Sequence, residues 1–243
     1  MTGFRIVVPP GVARTSLAVT IGLLAALAWA TLWLAGGFGL QLHNALPGSG
    51  GVWLFLGGWT VMTVAMMLPA SLPVLVTFQS FAAARPDRGL LVGLAVAGYL
   101  VTWTGFGAAV YALYLLAFAW FGHGVHRLGG PVILLLAGAF QFSPLKYRCL
   151  DKCRSPLTVV ISHWRGAGQR WHAFLLGMGH GLYCVGCCWA LMLLMFVVHA
   201  GSLLWMLALA IYMAVEKNVS WGRRMSAPAG ALLVATGLAL LVV

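Results

Sequence analysis

Acidic side chains are nearly absent from this chain. Asp and Glu account for 3 of its 243 residues, and all charged residues together make up 7% of the sequence. A soluble globular protein carries about 25% charged residues to face water, so a sizeable soluble domain is excluded. Asp87, Asp151 and Glu216 lie outside the interiors of the apolar stretches, which leaves no pair of carboxylates for general acid–base hydrolysis. We therefore expect a protein that is not an enzyme.

Apolar residues take the place of charge and make up 62% of the sequence. A helix needs about 20 mostly apolar residues to cross a bilayer core. The sequence therefore predicts an all-α fold, a polytopic transmembrane helix bundle of about seven spans that forms one integral membrane domain over residues 1–243. Pro69 and Pro73 predict a kink in the second span, since each removes a backbone donor and crowds the preceding turn. The expected spans are about 17–38, 52–82, 90–120, 129–145, 171–198, 201–216 and 227–243.

The basic residues predict the orientation of the bundle. The chain has 14 Lys and Arg residues and a formal net charge of +11, and such residues accumulate in the cytoplasmic loops of membrane proteins. An N-in, C-out arrangement places 13 of the 14 inside and leaves Arg127 outside. We expect a multi-pass protein of the bacterial inner (plasma) membrane that does not bind nucleic acid. If the first span, which follows Arg5 and Arg14, is a cleaved signal peptide, six spans remain; its apolar run is longer than the usual 7–15 or so residues.

The five cysteines fall into two groups. They are Cys149 and Cys153 in a basic segment, and Cys184, Cys187 and Cys188 in the fifth span. The basic segment, residues 146–170, is predicted to be a cytoplasmic loop. Residues three and four apart share a face of a helix, so each group lines one side of a helical segment. Soft sulfur ligands select Cu(I), Zn(II) or iron–sulfur clusters, and three thiols within five residues are rarely needed for packing. Both groups are therefore candidate metal ligands.

The face of the fifth span that carries its cysteines, which we call the stripe, extends beyond them. His180 precedes the first of them by about one turn, and a polar ring inside lipid usually marks function, which makes it a further candidate metal ligand. Met192 and Met195 continue the stripe towards the other end. Gly177 and Gly181 have the small-residue spacing that lets another helix approach closely.

Besides the cysteines and His180, other residues are auxiliary candidates for the metal site. Each of them also has a structural interpretation that does not involve a metal. Methionine most often fills gaps between helices, and the terminal Glu216 and Lys217 of the sixth span most simply form a local salt bridge or an interfacial anchor. A basic residue such as Lys146 could balance the negative charge that remains when two thiolates hold one Cu(I). The auxiliary candidates are Met62, Met66, Met192, Met195, Glu216 and Lys146.

The helical rise separates the two cysteine groups. Counted from about residue 171, Cys184 lies about 20 Å along the fifth span at 1.5 Å per residue, which is beyond the middle of the membrane. Cys149 and Cys153 are expected at its cytoplasmic edge. Two sites therefore fit better than one, and a single site requires residues 143–165 to fold back into the bundle.

Three segments carry a family resemblance over about residues 50–220, which we take as the family-like core. They are Trp59 to Pro73 with the run Ala65-Met66-Met67-Leu68-Pro69, Pro144 to Pro156 with both cysteines, and Gly177 to Met192 followed by Glu216-Lys217. The chain resembles a bacterial family of predicted metal-binding integral membrane proteins, a domain of unknown function. Gly201-Ser202-Leu203 departs from the Met-Asn-Leu expected there. The resemblance implies metal binding and supplies no reaction.

These observations favour soft-metal binding in the membrane, with copper as the metal and zinc or iron as alternatives, in a protein of metal transfer or transport. Its expected partners are the lipid bilayer, the metal ion, and another membrane subunit or a soluble metal carrier. A membrane thiol–disulfide oxidoreductase is one alternative, disfavoured because the loop thiols face a reducing cytosol. A non-enzymatic subunit of a larger membrane complex, with a structural metal, is the other.

Overall fold

The computed structural model describes residues 11–37, 49–122, 124–163, 168–196 and 203–242. In these ranges the regular structure is helical, which confirms the expected all-α fold. Short 3-10 turns at Pro69–Ser71, Leu194–Phe196 and Gly222–Met225 join some of the helices. The α-helices are α1 Gly11–Gly37, α2 Ser49–Met66, α3 Leu72–Phe81, α4 Arg88–Phe121, α5 Gly124–Gln141, α6 Pro144–Cys153, α7 Pro156–His163, α8 Gln169–Leu193, α9 Leu203–Asn218 and α10 Ser226–Val242.

Fewer of these helices than expected have the length of a membrane span. By length and composition, four stretches in the described part of the chain could cross a membrane: Thr15–Leu34, Arg88–Phe121, Gln169–Leu193 and Gly222–Leu241. The bent pair of α2 and α3 would make a fifth. The expected count of seven includes two shorter helices. α9 has 16 residues, and the apolar part of α5, Gly129–Gln141, is an apolar helix in the length range of 10–17 residues. Both fall below the roughly 20 residues that a span needs.

The second expected span is broken where the sequence predicts a kink. α2 ends at Met66, Pro69 begins the 3-10 turn, and the segments on either side meet at an angle of 48°. Pro73 lies in the first turn of α3, where its missing N–H has no intrahelical partner to lose. The break carries Met67 and Leu68 into the core, where they are 0% and 1% exposed.

α8 is the central helix of the bundle, and glycines bring α4 directly against it. A Cβ atom added to Gly177 would clash with the backbone carbonyl of Ala95, and one added to Gly98 would clash with that of Phe174. A Cβ atom at Gly181 would lie 2.9 Å from Cβ of Thr102. The small-residue spacing of α8 thus permits a close helix–helix approach, as the sequence predicts.

This contact gives a first prediction. Gly177→Ala should lower the free energy of unfolding by about 1–3 kcal/mol, because the clash is with backbone and α4 must shift to relieve it. Gly93→Ala is the matched control, since a Cβ atom there meets nothing within 4 Å. Thermal unfolding of both variants in detergent, followed by tryptophan fluorescence, checks this. Equal melting temperatures for the two variants would show that α4 and α8 do not pack as described.

The segment between α5 and α8 folds back along the bundle instead of forming an extended loop. Ser143 caps α6, its side chain accepting a hydrogen bond from the backbone N–H of Leu145 at 3.1 Å, and Pro144 occupies the first turn. α6 packs along α8, and α7 lies against both α3 and α8. Leu150 in α6 and Val160 in α7 are completely buried. This placement brings the loop cysteines of the sequence to the core.

Candidate metal site

The three cysteines of α8 lie on one buried face of the helix. Cys184, Cys187 and Cys188 are free thiols and all are 0% exposed. The thiols of Cys187 and Cys188 donate to the backbone carbonyl of Cys184 at 3.1 and 2.9 Å, as expected for residues three and four positions along a helix. The sulfur of Cys184 also lies 3.0 Å from the hydroxyl of Tyr99 on α4. The shared face predicted from the spacing is confirmed.

A lysine and a methionine from other elements meet two of these thiols. Nζ of Lys217, at the end of α9, lies 3.0 Å from Sγ of Cys184, 3.5 Å from Sγ of Cys188 and 3.4 Å from Sδ of Met67. Sγ of Cys188 lies 3.7 Å from Sδ of Met67. We call Met67, Cys184 and Cys188 the sulfur cluster. It offers two thiols and one thioether from α8 and from the break after α2.

The cysteines of α6 join this region. The thiol of Cys153 interacts with those of Cys184 and Cys187, and Cys149 packs on Gly186, where an added Cβ atom would lie 2.6 Å from Sγ of Cys149. The separation expected between the two cysteine groups is therefore wrong. It assumed an extended cytoplasmic loop, whereas α6 is a helix that lies along α8 and brings its cysteines beside those of α8.

Lys146 and Glu216 form a second buried charged group, beside the sulfur cluster. Nζ of Lys146 is 2.7 Å from Oε1 of Glu216, and both side chains are 0% exposed. Nζ of Lys146 also donates to the carbonyl of Cys187 at 3.3 Å, and the hydroxyl of Ser226 donates to Oε1 of Glu216 at 2.5 Å. The ion pair thus ties α6 to α8, α9 and α10.

The expectation of a local salt bridge between Glu216 and Lys217 is wrong. Neighbouring residues on an α-helix point about 100° apart at 3.6 residues per turn, so the two side chains meet different helices. Glu216 faces Lys146 on α6, whereas Lys217 faces the cysteines of α8. Both polar groups are buried, which excludes an interfacial anchor at this position.

His180 lies in the wall of a small cavity next to the cluster. Its ring stacks on Tyr99 with 5.6 Å between ring centroids, and the cavity is also lined by Ser71 and Leu68. The side chain is 3% exposed, and neither ring nitrogen has a hydrogen-bond partner in the described ranges. His180 therefore has two free ring nitrogens one turn from Cys184.

The comparison with known families decides the identity. A model of the PpoB2 family, described as a copper chaperone, matches residues 56–240. The chain belongs to the PpoB2 copper chaperone family. No match was found among curated proteins or among solved structures. The metal-related family expected from the three sequence segments is thereby supported, and membership in a copper chaperone family agrees with copper as the expected metal.

In this PpoB2 family member the cluster contains a cation of its own. Among the residues that the structure describes, no group of three or more His, Cys, Asp or Glu side chains is arranged to hold a metal ion. The thiols of Cys187 and Cys188 are directed at a backbone carbonyl, and the ammonium of Lys217 contacts the sulfurs of Cys184 and Cys188. Metal binding here would require Lys217 to withdraw and the thiols to rotate.

The methionine that reaches the cluster differs from those selected by helical spacing. The four selected, all in the core, are Met62, Met66, Met192 and Met195, with exposures of 8%, 2%, 0% and 5%. The sulfur within reach of Lys217 and Cys188 belongs to Met67. The sequence feature that points to Met67 is its position immediately before the break at Pro69. At this break the helical spacing that relates Met62 to Met66 no longer applies.

Proposed function

We propose that this protein is an integral membrane Cu(I)-binding protein of the bacterial inner membrane that receives copper at α6 and transfers it to an acceptor. The observation that carries this is the sulfur cluster, in which two thiols and a thioether from distant parts of the chain meet around one cation. Thiolate and thioether are the ligands that select Cu(I). Family membership supports copper as the cargo.

The position of the cluster supports binding inside the bilayer. Cys184 is preceded by 15 residues of α8, so at 1.5 Å per residue it lies about 22 Å from the start of that helix. Large apolar side chains cover the outside of the bundle, and Leu27, Trp53, Leu113, Trp120 and Leu204 are each at least 65% exposed. Apolar surface of this extent is typical of contact with lipid. The distribution of the basic residues supports N-in, C-out orientation.

The cysteines form a series of decreasing exposure, which suits transfer. Cys149 is partly exposed, Cys153 is 9% exposed, and Cys184 and Cys188 are completely buried. Cys153 interacts with both Cys184 and Cys187, and it lies on α6 four residues after Cys149, so α6 carries both the outer thiol and a thiol that reaches the inner ones. Transport needs several sites that bind weakly enough to release the ion. Copper thus enters at Cys149 from a soluble metal carrier and leaves to a carrier or to another membrane subunit.

Copper content of the purified protein tests this function. The full chain, extracted from membranes with detergent and reconstituted with Cu(I) under reducing conditions, should retain about one copper ion per chain, held by sulfur. X-ray absorption at the copper edge should show sulfur neighbours. A variant with all five cysteines changed to serine should retain almost none.

Two results would contradict the proposal. One is copper content that is unchanged in the five-serine variant. The other is a chain that alkaline carbonate releases from membranes, since a bundle surrounded by lipid resists such extraction. The Gly93→Ala variant serves as a control for handling, because that change lies in open space on α4.

A further inference from the structure

Lys217 is a buried cation whose hydrogen-bond acceptors are sulfur atoms. Its side chain is 5% exposed and its Nζ atom contacts Cys184, Cys188 and Met67 at 3.0 to 3.5 Å. Within the described ranges its carboxylate neighbour Glu216 is paired with a different lysine, and no ion pair joins Glu216 to Lys217. A buried ammonium needs a nearby negative charge. Thiolate is the anion that the surrounding side chains can supply.

We propose that Lys217 fixes the charge of the sulfur cluster, so that the cluster accepts monovalent Cu(I) and rejects divalent Zn(II). This rests on the proposed function, which places copper at the same sulfurs. When a metal ion binds, Cys184 and Cys188 release their thiol protons to solvent and carry two negative charges as thiolates, while Lys217 carries one positive charge. Cu(I) brings the total to zero, whereas Zn(II) leaves a net positive charge. The ion pair of Lys146 and Glu216 adds nothing to this sum.

Because the sulfur cluster is buried, a difference of one unit of net charge has a large effect on the free energy of metal binding. All three members of the sulfur cluster are 0% exposed, so an uncompensated charge there is not stabilised by water. The flexible four-carbon stem of lysine lets the ammonium withdraw from the sulfurs while its charge stays in the same buried region. Lys217 is thus a specificity-determining residue that acts through charge and does not itself bind the metal.

The test compares Lys217→Gln with wild type in the detergent-purified full chain. Cu(I) affinity is measured by competition with a chromophoric Cu(I) chelator, and Zn(II) affinity by competition with a zinc indicator. Removing the ammonium should lower the ratio of Cu(I) to Zn(II) affinity about a hundredfold, given the strength of charge interactions at such distances. The double variant Arg85→Gln with Asp87→Asn, which removes a balanced, partly exposed ion pair outside the sulfur cluster, should leave the ratio unchanged.

Testing Lys217→Gln in a second variant, Cys188→Ser, distinguishes a role of the Lys217 charge from a purely structural role of its hydrogen bonds. With Cys188→Ser, one thiolate and Lys217 already balance, so Cu(I) adds a net positive charge. Adding Lys217→Gln to Cys188→Ser should therefore raise Cu(I) affinity, although the same change lowers it when both thiols are present. A structural role predicts a loss of affinity in both backgrounds, and that result would overturn the proposal.

The other possible results of these experiments also test the role of Lys217. Should Lys217→Gln fail to fold, Lys217→Arg keeps the charge and must keep the wild-type ratio, and a large fall in the ratio would overturn the proposal. If wild type binds no Cu(I), the proposed function fails. If wild type binds Cu(I) and the ratio is the same in Lys217→Gln, the charge role of Lys217 alone is refuted.

Discussion

Cys184→Ser should lower Cu(I) affinity about a thousandfold, or roughly 4 kcal/mol. Its sulfur is the closest of the three to the cation of the cluster, at 3.0 Å from Nζ of Lys217, and it also contacts Tyr99 and Cys153. The serine oxygen is a hard ligand that Cu(I) does not prefer. Competition with a chromophoric Cu(I) chelator measures the change.

Cys149→Ser is the matched control, with the same chemical change at a partly exposed thiol outside the sulfur cluster. We expect it to lower equilibrium affinity by about tenfold, the low end of the effect of residues that support a ligand, and to slow copper uptake from a donor. Equal losses of affinity in the two variants would show that the inner and outer thiols have no separate roles.

Glu216→Leu should lower the free energy of unfolding by about 3–5 kcal/mol, because it leaves the ammonium of Lys146 buried and unpaired. Both side chains are 0% exposed and their atoms are 2.7 Å apart, so water cannot replace the lost carboxylate. The hydroxyl of Ser226 loses its acceptor as well. Unfolding in detergent, followed by tryptophan fluorescence, gives the free energy.

Two comparisons make the prediction specific. The double variant Lys146→Met with Glu216→Leu should be more stable than Glu216→Leu alone, since replacing a buried pair by apolar side chains avoids the desolvation penalty. Asp151→Leu removes the carboxylate of a half-exposed pair with Arg223, at 3.5 Å, and should cost less than about 1 kcal/mol. If Glu216→Leu is no more destabilising than Asp151→Leu, the buried pair does not hold α6 in place.

The pair of Lys146 and Glu216 also has a consequence for the proposed transfer of copper. It fixes α6, which holds Cys149 and Cys153, against the face of α8 that holds the inner thiols. Arg154, at the end of α6, adds hydrogen bonds to the carbonyls of Glu216 and Ser220 at 2.7 and 3.1 Å. These contacts keep the outer and inner thiols adjacent, and a transfer series requires that arrangement.

The sequence by itself determined the features that depend on composition and on local spacing. The scarcity of charge and the apolar runs predict helices, Pro69 predicts the break between α2 and α3, and the spacing of Cys184, Cys187 and Cys188 places them on one face. These follow because helical periodicity and proline act within a few residues along the chain.

Tertiary structure alone decided which distant residues meet. The fold of α6 along α8 joined Cys153 to the inner thiols, the break at Pro69 brought in Met67, and the direction of α9 separated Glu216 from Lys217. Each outcome depends on the rotation of one helix about its axis against another, which helical spacing within either segment does not encode. That is why the sequence pairs Lys217 only with its neighbour Glu216, whereas the structure places its ammonium at the sulfur cluster.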